Sequence, residues 1–545
     1  MKTKLYFQNH KLLFSLLVIL LMILFSFIYA LFNTYQLISQ LKKFELNQAQ
    51  TTFNQTQPLV KIFNLLTLKQ NSDLFIWEQS FKILEQSFDL NQNLLSYFSL
   101  ATSDNPETKI YLDRIKNNFR QIADLVTQTE QKSQTSILFK KYTPKIETYL
   151  SMINDLNQVI EYFTSQDKQV IVLFQNSDEL RATGGFMGSY ALVNLKQGVI
   201  GKIDVQDIYQ PDGQFTGFVE APTGVKEYLS SGKGLRLPDA NWEPDFPTSS
   251  KQILNFFALG QEQKIDSLVA INLSVAQDLL QITGPIYLPD YQQTITADNL
   301  AQIARSDRDS FFPGSQQKPN FLSSLVKFFQ YKVNYLSNAQ KKELIFSLIK
   351  NFKNQNIQIF SNDENIQKIW SKYLVSGELK STGETIFLVE SNVGINKANQ
   401  NISRAVSIEI NDYLTQIEIN FNNKNSPDAS TPDDHLGYVN YQRLIVNNQD
   451  QIKQISYQGQ NIEHWDERKI TNSSAESFKE IGFLITLPEQ QTATLSIQLS
   501  HPALKTPLTL SILKQSGLPP TPYQINYHDQ KKELLLERNE TITFD

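Results

Sequence analysis

Residues Leu12 to Phe32 form an apolar run broken only by Ser15, Ser26 and Tyr29, and few folds can absorb such a segment. A hydrocarbon core of about 30 Å calls for roughly 20 apolar residues in a helix, which is the length of this run. Lys2, Lys4 and Lys11 precede it, and the nearest later cations, Lys42 and Lys43, lie farther away. The positive-inside rule then predicts a cytoplasmic tail over 1–11, a transmembrane anchor over 12–32 and the bulk of the chain outside. The run is longer than a signal-peptide core and no small-x-small cleavage site follows it, which favours an uncleaved anchor in the cytoplasmic membrane.

The remaining residues of this 545-residue chain are enough for more than one core. Net charge is −5, whereas a general nucleic-acid binder needs a basic face to displace counterions, so no nucleic-acid partner is expected. Cysteine is absent, which removes disulfides and thiolate metal sites.

Composition and period divide the chain further. Tyr35 to Asp167 has no glycine, and apolar residues recur there at helical spacing, as in Phe75, Trp77, Phe81, Leu84 and Phe88. Asn71-Ser72-Asp73 and Ser103-Asp104-Asn105-Pro106 are predicted helix breaks. We therefore expect a helical stalk or bundle over 33–167. From Gln169 the pattern changes to short strand-like runs alternating with helices, which predicts an α/β core over 168–380. Candidate strands are 169–175, 187–194, 199–205, 265–272 and 285–288; candidate helices are 248–259, 274–282, 297–304, 320–335 and 338–350. Alternating runs such as 386–390, 402–410, 415–420, 442–446, 482–487 and 492–499 predict a β-sandwich over 381–545. The expected fold class is thus multidomain α+β.

Chemistry concentrates between Ile171 and Tyr190. An apolar run ends there in Asn176, Asp178, Glu179 and Arg181, followed by Gly184 and Gly185. A buried strand delivering charge to its end is a common way for α/β folds to present a site. The histidines are His10, His435, His464, His501 and His528; none falls in 168–380, which excludes a Ser-His-Asp triad or a His-liganded zinc there. No phosphate-binding loop occurs. Arginines and acids remain: Asp178, Glu179 and Arg181 at the strand end, and Arg305 and Arg308 after a predicted helix. Arginine forks bind phosphate and carboxylates can hold Mg²⁺ against a pyrophosphate. Such a set suits phosphoryl transfer; a solvated surface of ion pairs is the competing account.

NSDELRATGGFMGSY, Asp239-Ala240-Asn241-Trp242-Glu243-Pro244-Asp245, Ile265–Asn272, and Glu390-Ser391-Asn392-Val393-Gly394-Ile395-Asn396-Lys397 with Ser403-Arg404 resemble the bacterial family known as domain of unknown function 4012. That resemblance implies the architecture above and no activity. Ile265–Asn272, Gly284–Pro289 and the arginine pair Arg305 and Arg308, with Gln316 and Gln317, more distantly resemble the LytR-CpsA-Psr family. Its members transfer glycopolymers from polyprenyl-pyrophosphate carriers to the cell wall. The likeness implies catalytic roles for Asp178, Glu179 and Arg181, Mg²⁺ held by Asp178 and Glu179, and ligand binding by Asn176, Arg305 and Arg308. Two departures stand out: the arginines are one residue wider apart than in that family, and Asn176 replaces an acid.

Two functions remain open from the sequence. One is a membrane-anchored envelope protein that binds polyprenyl-pyrophosphate-linked glycopolymers and passes them to the cell wall, a phosphotransferase-type ligase. The other is a non-catalytic envelope scaffold or binding protein that uses its β-sandwich beside a degenerate core.

Overall fold

The computed structural model describes residues 2–43, 45–67, 70–100, 107–260, 264–306, 317–426 and 437–545, with side chains from residue 22 onward and not at 304–306 or 317–319. The chain forms two compact units, Met1–Ser165 and Gln166–Asp545.

The first unit is helical. It consists of α1 (Lys2–Lys42), α2 (Leu46–Leu66), α3 (Ser72–Leu100), α4 (Glu107–Ser133) and α5 (Thr143–Thr164), each packed on the next. The break at Asn71 is a side-chain cap: its Oδ1 accepts the Leu74 amide at 3.0 Å, satisfying a first-turn donor of α3. The break foreseen at Ser103–Pro106 lies outside the described residues. The helix holding the apolar run continues past Phe32, so that Ala30 and Leu37 join Ala49, Phe53, Phe63, Trp77 and Phe81 in the core of this unit. Among the described residues, Met22–Lys42 is the helical segment long and apolar enough to cross a membrane.

The second unit begins with a mixed sheet of β1 (Lys168–Asn176), β2 (Phe186–Lys196), β3 (Val199–Asp207), β4 (Ser267–Asn272) and, after the small hairpin β5 (Ile286–Leu288) and β6 (Gln293–Ile295), β7 (Ile357–Ser361). Its order is β3-β2-β1-β4-β7. Only the β1–β4 pair is parallel, with Val170 opposite Ser267; the other neighbours run antiparallel. Between these strands lie α6 (Tyr209–Gln214), α7 (Val225–Tyr228), α8 (Phe246–Leu259), α9 (Leu273–Thr283), α10 (Leu300–Ser306), α11 (Gln317–Asn334) and α12 (Asn338–Lys353), with α13 (Glu364–Lys372) after β7. Helix α8 starts where Asp245 accepts the Thr248 amide at 3.1 Å and Pro247 occupies the first turn, the arrangement that tolerates proline in a helix. All five strands and five helices expected for this region occur, with ends shifted by up to three residues; the short elements α6, α7 and β6, and β7 and α13, were not foreseen.

From Glu384 the chain is β-rich. Two sheets, ordered β13-β12-β16-β10-β9-β18-β19 and β14-β15-β11-β8-β17-β20, are built from β8 (Glu384–Asn392), β9 (Ile402–Ile410), β10 (Leu414–Asn423), β11 (Tyr438–Asn447), β12 (Gln451–Tyr457), β13 (Gln460–Asn461), β14 (Asp466–Thr471), β15 (Ser477–Leu487), β16 (Thr492–Ser500), β17 (Leu508–Leu513), β18 (Thr521–Tyr527), β19 (Gln530–Leu536) and β20 (Glu540–Phe544). Alternate residues of both sheets enter one apolar core, with Ile408, Ile417, Leu495 and Ile525 from the first and Leu444, Ile481, Leu510 and Phe544 from the second. A period of two buries one face of each strand.

At one edge of this core Glu384, Asp450 and His501 line a cavity of about 20 Å³ with apolar side chains. The Asp450 Oδ1 has no hydrogen-bond partner among the described residues. Burial, and secondly the Glu384 charge, push its carboxyl up to about 6. The folded state thus holds this proton more tightly than an unfolded chain, where an aspartate titrates near 3.9. The contribution is complete at low pH and is lost as pH rises through about 6. Asp450→Asn is expected to raise the thermal midpoint by a few degrees at neutral pH and to change it little near pH 4. Equal shifts at both values would rule this account out.

Candidate functional site

The strand end singled out from the sequence lies inside the second unit, where the mixed sheet meets the β-rich region. Strand β1 closes with Asn176 opposite Phe186 of β2, and Ser177–Gly185 must reverse the chain between them. Asn176 shapes that turn: its Oδ1 accepts the Asp178 amide at 3.1 Å and its carbonyl accepts the Glu179 amide at 3.2 Å. Gly184 sits at φ +135°, and a Cβ there would collide with the side chains of Asn272, Gln175 and Ser516. The loop after β17 closes on the same point, because a Cβ on Gly517 would strike the Gly184 carbonyl. Only glycine combines that dihedral with that approach. Gly184→Ala is therefore expected to cost about 2 kcal/mol or more in a denaturant titration, through strain and displaced neighbours together.

Arg181 is 1% exposed. Its Nε donates to Asp239 Oδ1 at 3.1 Å, Nη2 to Glu179 Oε1 at 3.1 Å, and Nη1 to the carbonyls of Asn392 at 2.7 Å and Leu180 at 3.2 Å. The Phe186 ring lies under the guanidinium, 5.7 Å from its centroid. Burial pulls the guanidinium down, but Asp239 and Glu179 together hold it above its ordinary value. Glu179 is raised, chiefly by burial, with Arg181 opposing. Tyr209 nearby is pushed up to about 12 by burial and then by Asp239 and Glu179. All of these groups answer one another within the protein.

The backbone of the loop is fastened in the same way. Asn392 and Asn399 donate their amides to the Leu180 and Asp178 carbonyls at 3.0 and 3.1 Å, and Gln515 Nε2 reaches the Arg181 carbonyl at 3.1 Å. Asn241 Nδ2 holds Thr183 Oγ1 and the Gly185 carbonyl at 3.1 and 2.8 Å. On the other side Arg443 donates to the Trp242 carbonyl at 2.9 Å with its guanidinium 4.5 Å from the Trp242 ring centre. Arg468 grips Glu243 with both terminal nitrogens at 2.8 and 2.9 Å. The segments Asn176–Gly185, Asp239–Asp245 and Glu390–Lys397 thus converge on one junction, and their polar side chains bind each other.

The expected site residues fall out unevenly. Asn176, Asp178, Glu179 and Arg181 share the loop, with Asp178 and Arg181 buried. Arg305 is in α10, with its side chain outside the described residues, and Arg308 lies outside them altogether, as does Gln316. Among the described residues no three His, Asp or Glu side chains gather to hold a metal ion, and Glu179, half of the pair expected to bind Mg²⁺, is turned to Arg181. Asp239, Asn392, Arg443, Arg468 and Gln515 were not singled out from sequence as partners. Asp239 and Asn392 lie in motifs visible in the sequence, whereas Arg443, Arg468 and Gln515 do not, and no spacing links Arg181 to a carbonyl 211 residues away.

Comparison with known proteins adds little to this geometry. No curated protein matches the sequence. Among solved structures, a nutrient-binding protein described as putative, from Legionella pneumophila, is 8% identical, with 27% of this chain and 55% of that one covered and a TM-score of 0.19. The present chain thus spans about half the length of that protein. The Lin1025 protein of Listeria innocua is 14% identical, covering 39% and 80%, with a TM-score of 0.21. The transcriptional regulator yvhJ of Bacillus subtilis is 12% identical, covering 40% and 83%, with a TM-score of 0.19. Likenesses at such TM-scores carry no structural argument. It is the segment holding four of the five strands of the mixed sheet and the loop after β1, residues 165–308, that matches a family: the one described as protein of unknown function DUF4012.

Proposed function

We propose that this chain is a membrane-anchored, extracytoplasmic envelope protein that binds a cell-wall component without catalysing its transfer. The observation that carries this reading is the closure of the Arg181 set. A guanidinium that is 1% exposed and hydrogen-bonded to Asp239, Glu179 and Asn392 would have to abandon two partly buried acids to meet a phosphate, leaving their charge uncompensated. Such a group fastens a fold. Binding has a better seat on the seven-stranded sheet, where Ser403, Asn420, Asn422, Gln458, Thr492 and Thr494 line an open groove of about 700 Å³. That volume is within the range of ligand sites, and hydroxyls and amides suit the hydroxyls of a neutral polymer.

Transfer of polyprenyl-pyrophosphate-linked glycopolymers is the second reading. It draws support from Glu179 and Asp239, whose side chains remain 12% and 20% exposed and whose charges act on Tyr209. One experiment separates the two. Full-length protein in nanodiscs is titrated with a fluorescent polyprenyl-pyrophosphate saccharide and Mg²⁺, and is sedimented with isolated cell-wall sacculi. Binding proteins should pellet with sacculi, less so as Asn420→Ala/Asn422→Ala, and should show no saturable lipid binding. Saturable lipid binding that weakens more than tenfold in Arg305→Ala, the loss of one charged hydrogen bond of about 1.5–3 kcal/mol, would establish the carrier-lipid reading instead.

A further inference from the structure

Helices α11 and α12 differ in charge from the rest of the protein. Residues 317–353 carry seven lysines and a single acid, Glu343, in a chain whose net charge is −5. One face of the pair is accounted for. Phe321 packs with Leu280, Ile286 and Leu288; Val333, Leu336 and Leu344 pack with Leu279 and Ile282 of α9. Two lysines are also accounted for, since Lys332 donates to the Thr283 and Pro285 carbonyls and Lys341 is buried.

The opposite face is unusual for a surface facing water. On α11 Tyr331 and Tyr335 are 60% and 73% exposed, with Phe328 at 37%; on α12 Phe346 and Ile349 are 43% and 45% exposed. The two tyrosine rings touch at a tilt of 47°, with centroids 4.7 Å apart, one turn from each other on α11. On α12, Lys342, Phe346, Ile349 and Lys353 fall on one stripe by helical spacing, and the Lys342 ammonium stands over the Phe346 ring, 5.9 Å from its centre. Lys327 on α11 and Lys350 and Lys353 on α12 are exposed as well.

Aromatic and aliphatic side chains flanked by lysines are the composition of helices that lie in a bilayer interface. Tyrosine rings settle at the headgroup level, and lysine stems run along the apolar surface while the ammonium reaches the phosphates. We propose that the outer face of α11 and α12 docks on a phospholipid surface bearing anionic headgroups. Charge complementarity selects the occupant: a lysine-rimmed face with one acid attracts anionic lipid, and exposed phenylalanine and isoleucine require an apolar phase that a soluble polyanion does not offer. The proposal uses the anchored reading only to keep a bilayer within reach, and makes α11–α12 a second membrane contact beyond α1.

The absence of cysteine makes a single label unambiguous. Full-length Tyr335→Cys, carrying an environment-sensitive fluorophore, is placed in nanodiscs containing doxyl-labelled lipid, either zwitterionic or mixed with phosphatidylglycerol. Tyr413→Cys, 61% exposed in the β-rich region, serves as control. The label at 335 should shift to the blue and be quenched in anionic discs, lose most of both at high salt, and exceed the control. Each lysine near an anionic surface is worth about fivefold in docking, so Lys327→Gln/Lys350→Gln/Lys353→Gln should abolish the quench while folding is retained. Quenching equal to that of the control, or independent of anionic lipid, overturns the proposal. So does emission that ignores lipid but changes with protein concentration, which would assign the face to a second copy of this chain. Incorporation through α1 without quenching at 335 leaves the anchor reading intact and refutes this one. Failure to incorporate, with quenching on added anionic vesicles, refutes the anchor and supports this one.

Discussion

Arg181→Met should destabilise the second unit by roughly 3–5 kcal/mol, the usual consequence of removing one partner from a buried ion set. The substitution keeps most of the side-chain volume but strands Glu179 and Asp239, each 3.1 Å from a guanidinium nitrogen, and frees the Asn392 carbonyl that Nη1 holds at 2.7 Å. The measurement is a urea titration of full-length protein in detergent, read by pulse proteolysis of the β-rich region. Arg181→Lys should recover only part of the loss, because one ammonium cannot reproduce a fork directed at three oxygens. The combined variant Arg181→Met/Glu179→Gln/Asp239→Asn should be more stable than Arg181→Met alone, since it removes the stranded charges too. The pH dependence carries a definite sign. Glu179 already titrates above its ordinary value because of burial, and without Arg181 it rises further. The gap between wild type and Arg181→Met should therefore narrow as pH falls through the raised range in which Glu179 takes up its proton. A midpoint unchanged by Arg181→Met would show that the set fastens nothing, and would reopen the strand end as a ligand site.

A second large effect is expected within the β-rich region, at Arg404. This side chain is buried, and its Nε and Nη2 meet Glu390 at 2.6 and 2.7 Å, while Nη2 also reaches Asn399 Oδ1 at 2.6 Å and Nη1 the Ile402 carbonyl at 2.8 Å. Tyr438 adds its hydroxyl to Glu390 at 2.5 Å. Burial and then the Glu390 charge raise that phenol well above its ordinary value, so it stays a donor at any working pH. Arg404→Ala should cost about 3–5 kcal/mol, and Glu390→Gln less, because an amide oxygen can still accept one of the two forks. Arg404→Met/Glu390→Leu should regain most of the stability, as paired apolar replacements of buried ions often do. If the double variant is as unstable as Arg404→Ala, the pair specifies the packing of β8 against β9 rather than merely neutralising itself.

Both arginines were conspicuous in the sequence, and for the same reason their roles were open. A charged residue in a motif reports that something is recognised there, and leaves open whether the partner is a ligand or another part of the chain. Elements governed by local period were easier. β9 was read to its exact ends at Ile402 and Ile410, because alternate burial runs through the whole strand. The start of α12 at Asn338 follows from Ser337, whose hydroxyl accepts the Gln340 amide at 3.3 Å in a capping box. By contrast β7, only Ile357–Ser361, is too short for periodicity to separate it from a buried helical turn. Its antiparallel pairing with β4 depends on a neighbour about ninety residues earlier.

By itself the sequence determined the long apolar segment of α1, the change from helical to strand period, the glycine turn after β1 and the exclusion of histidine and thiol chemistry from the mixed-sheet region. Each of these is set by composition or by residues within a few positions. Tertiary structure decided what the charges at the end of β1 do. Sheet register and the docking of the β-rich region bring Asp239, Asn392 and Gln515 against Glu179 and Arg181. Once those groups are close and dry, an ion pair inside the protein is favoured over one with solvent or a ligand, because separating buried opposite charges costs more than any single phosphate contact returns.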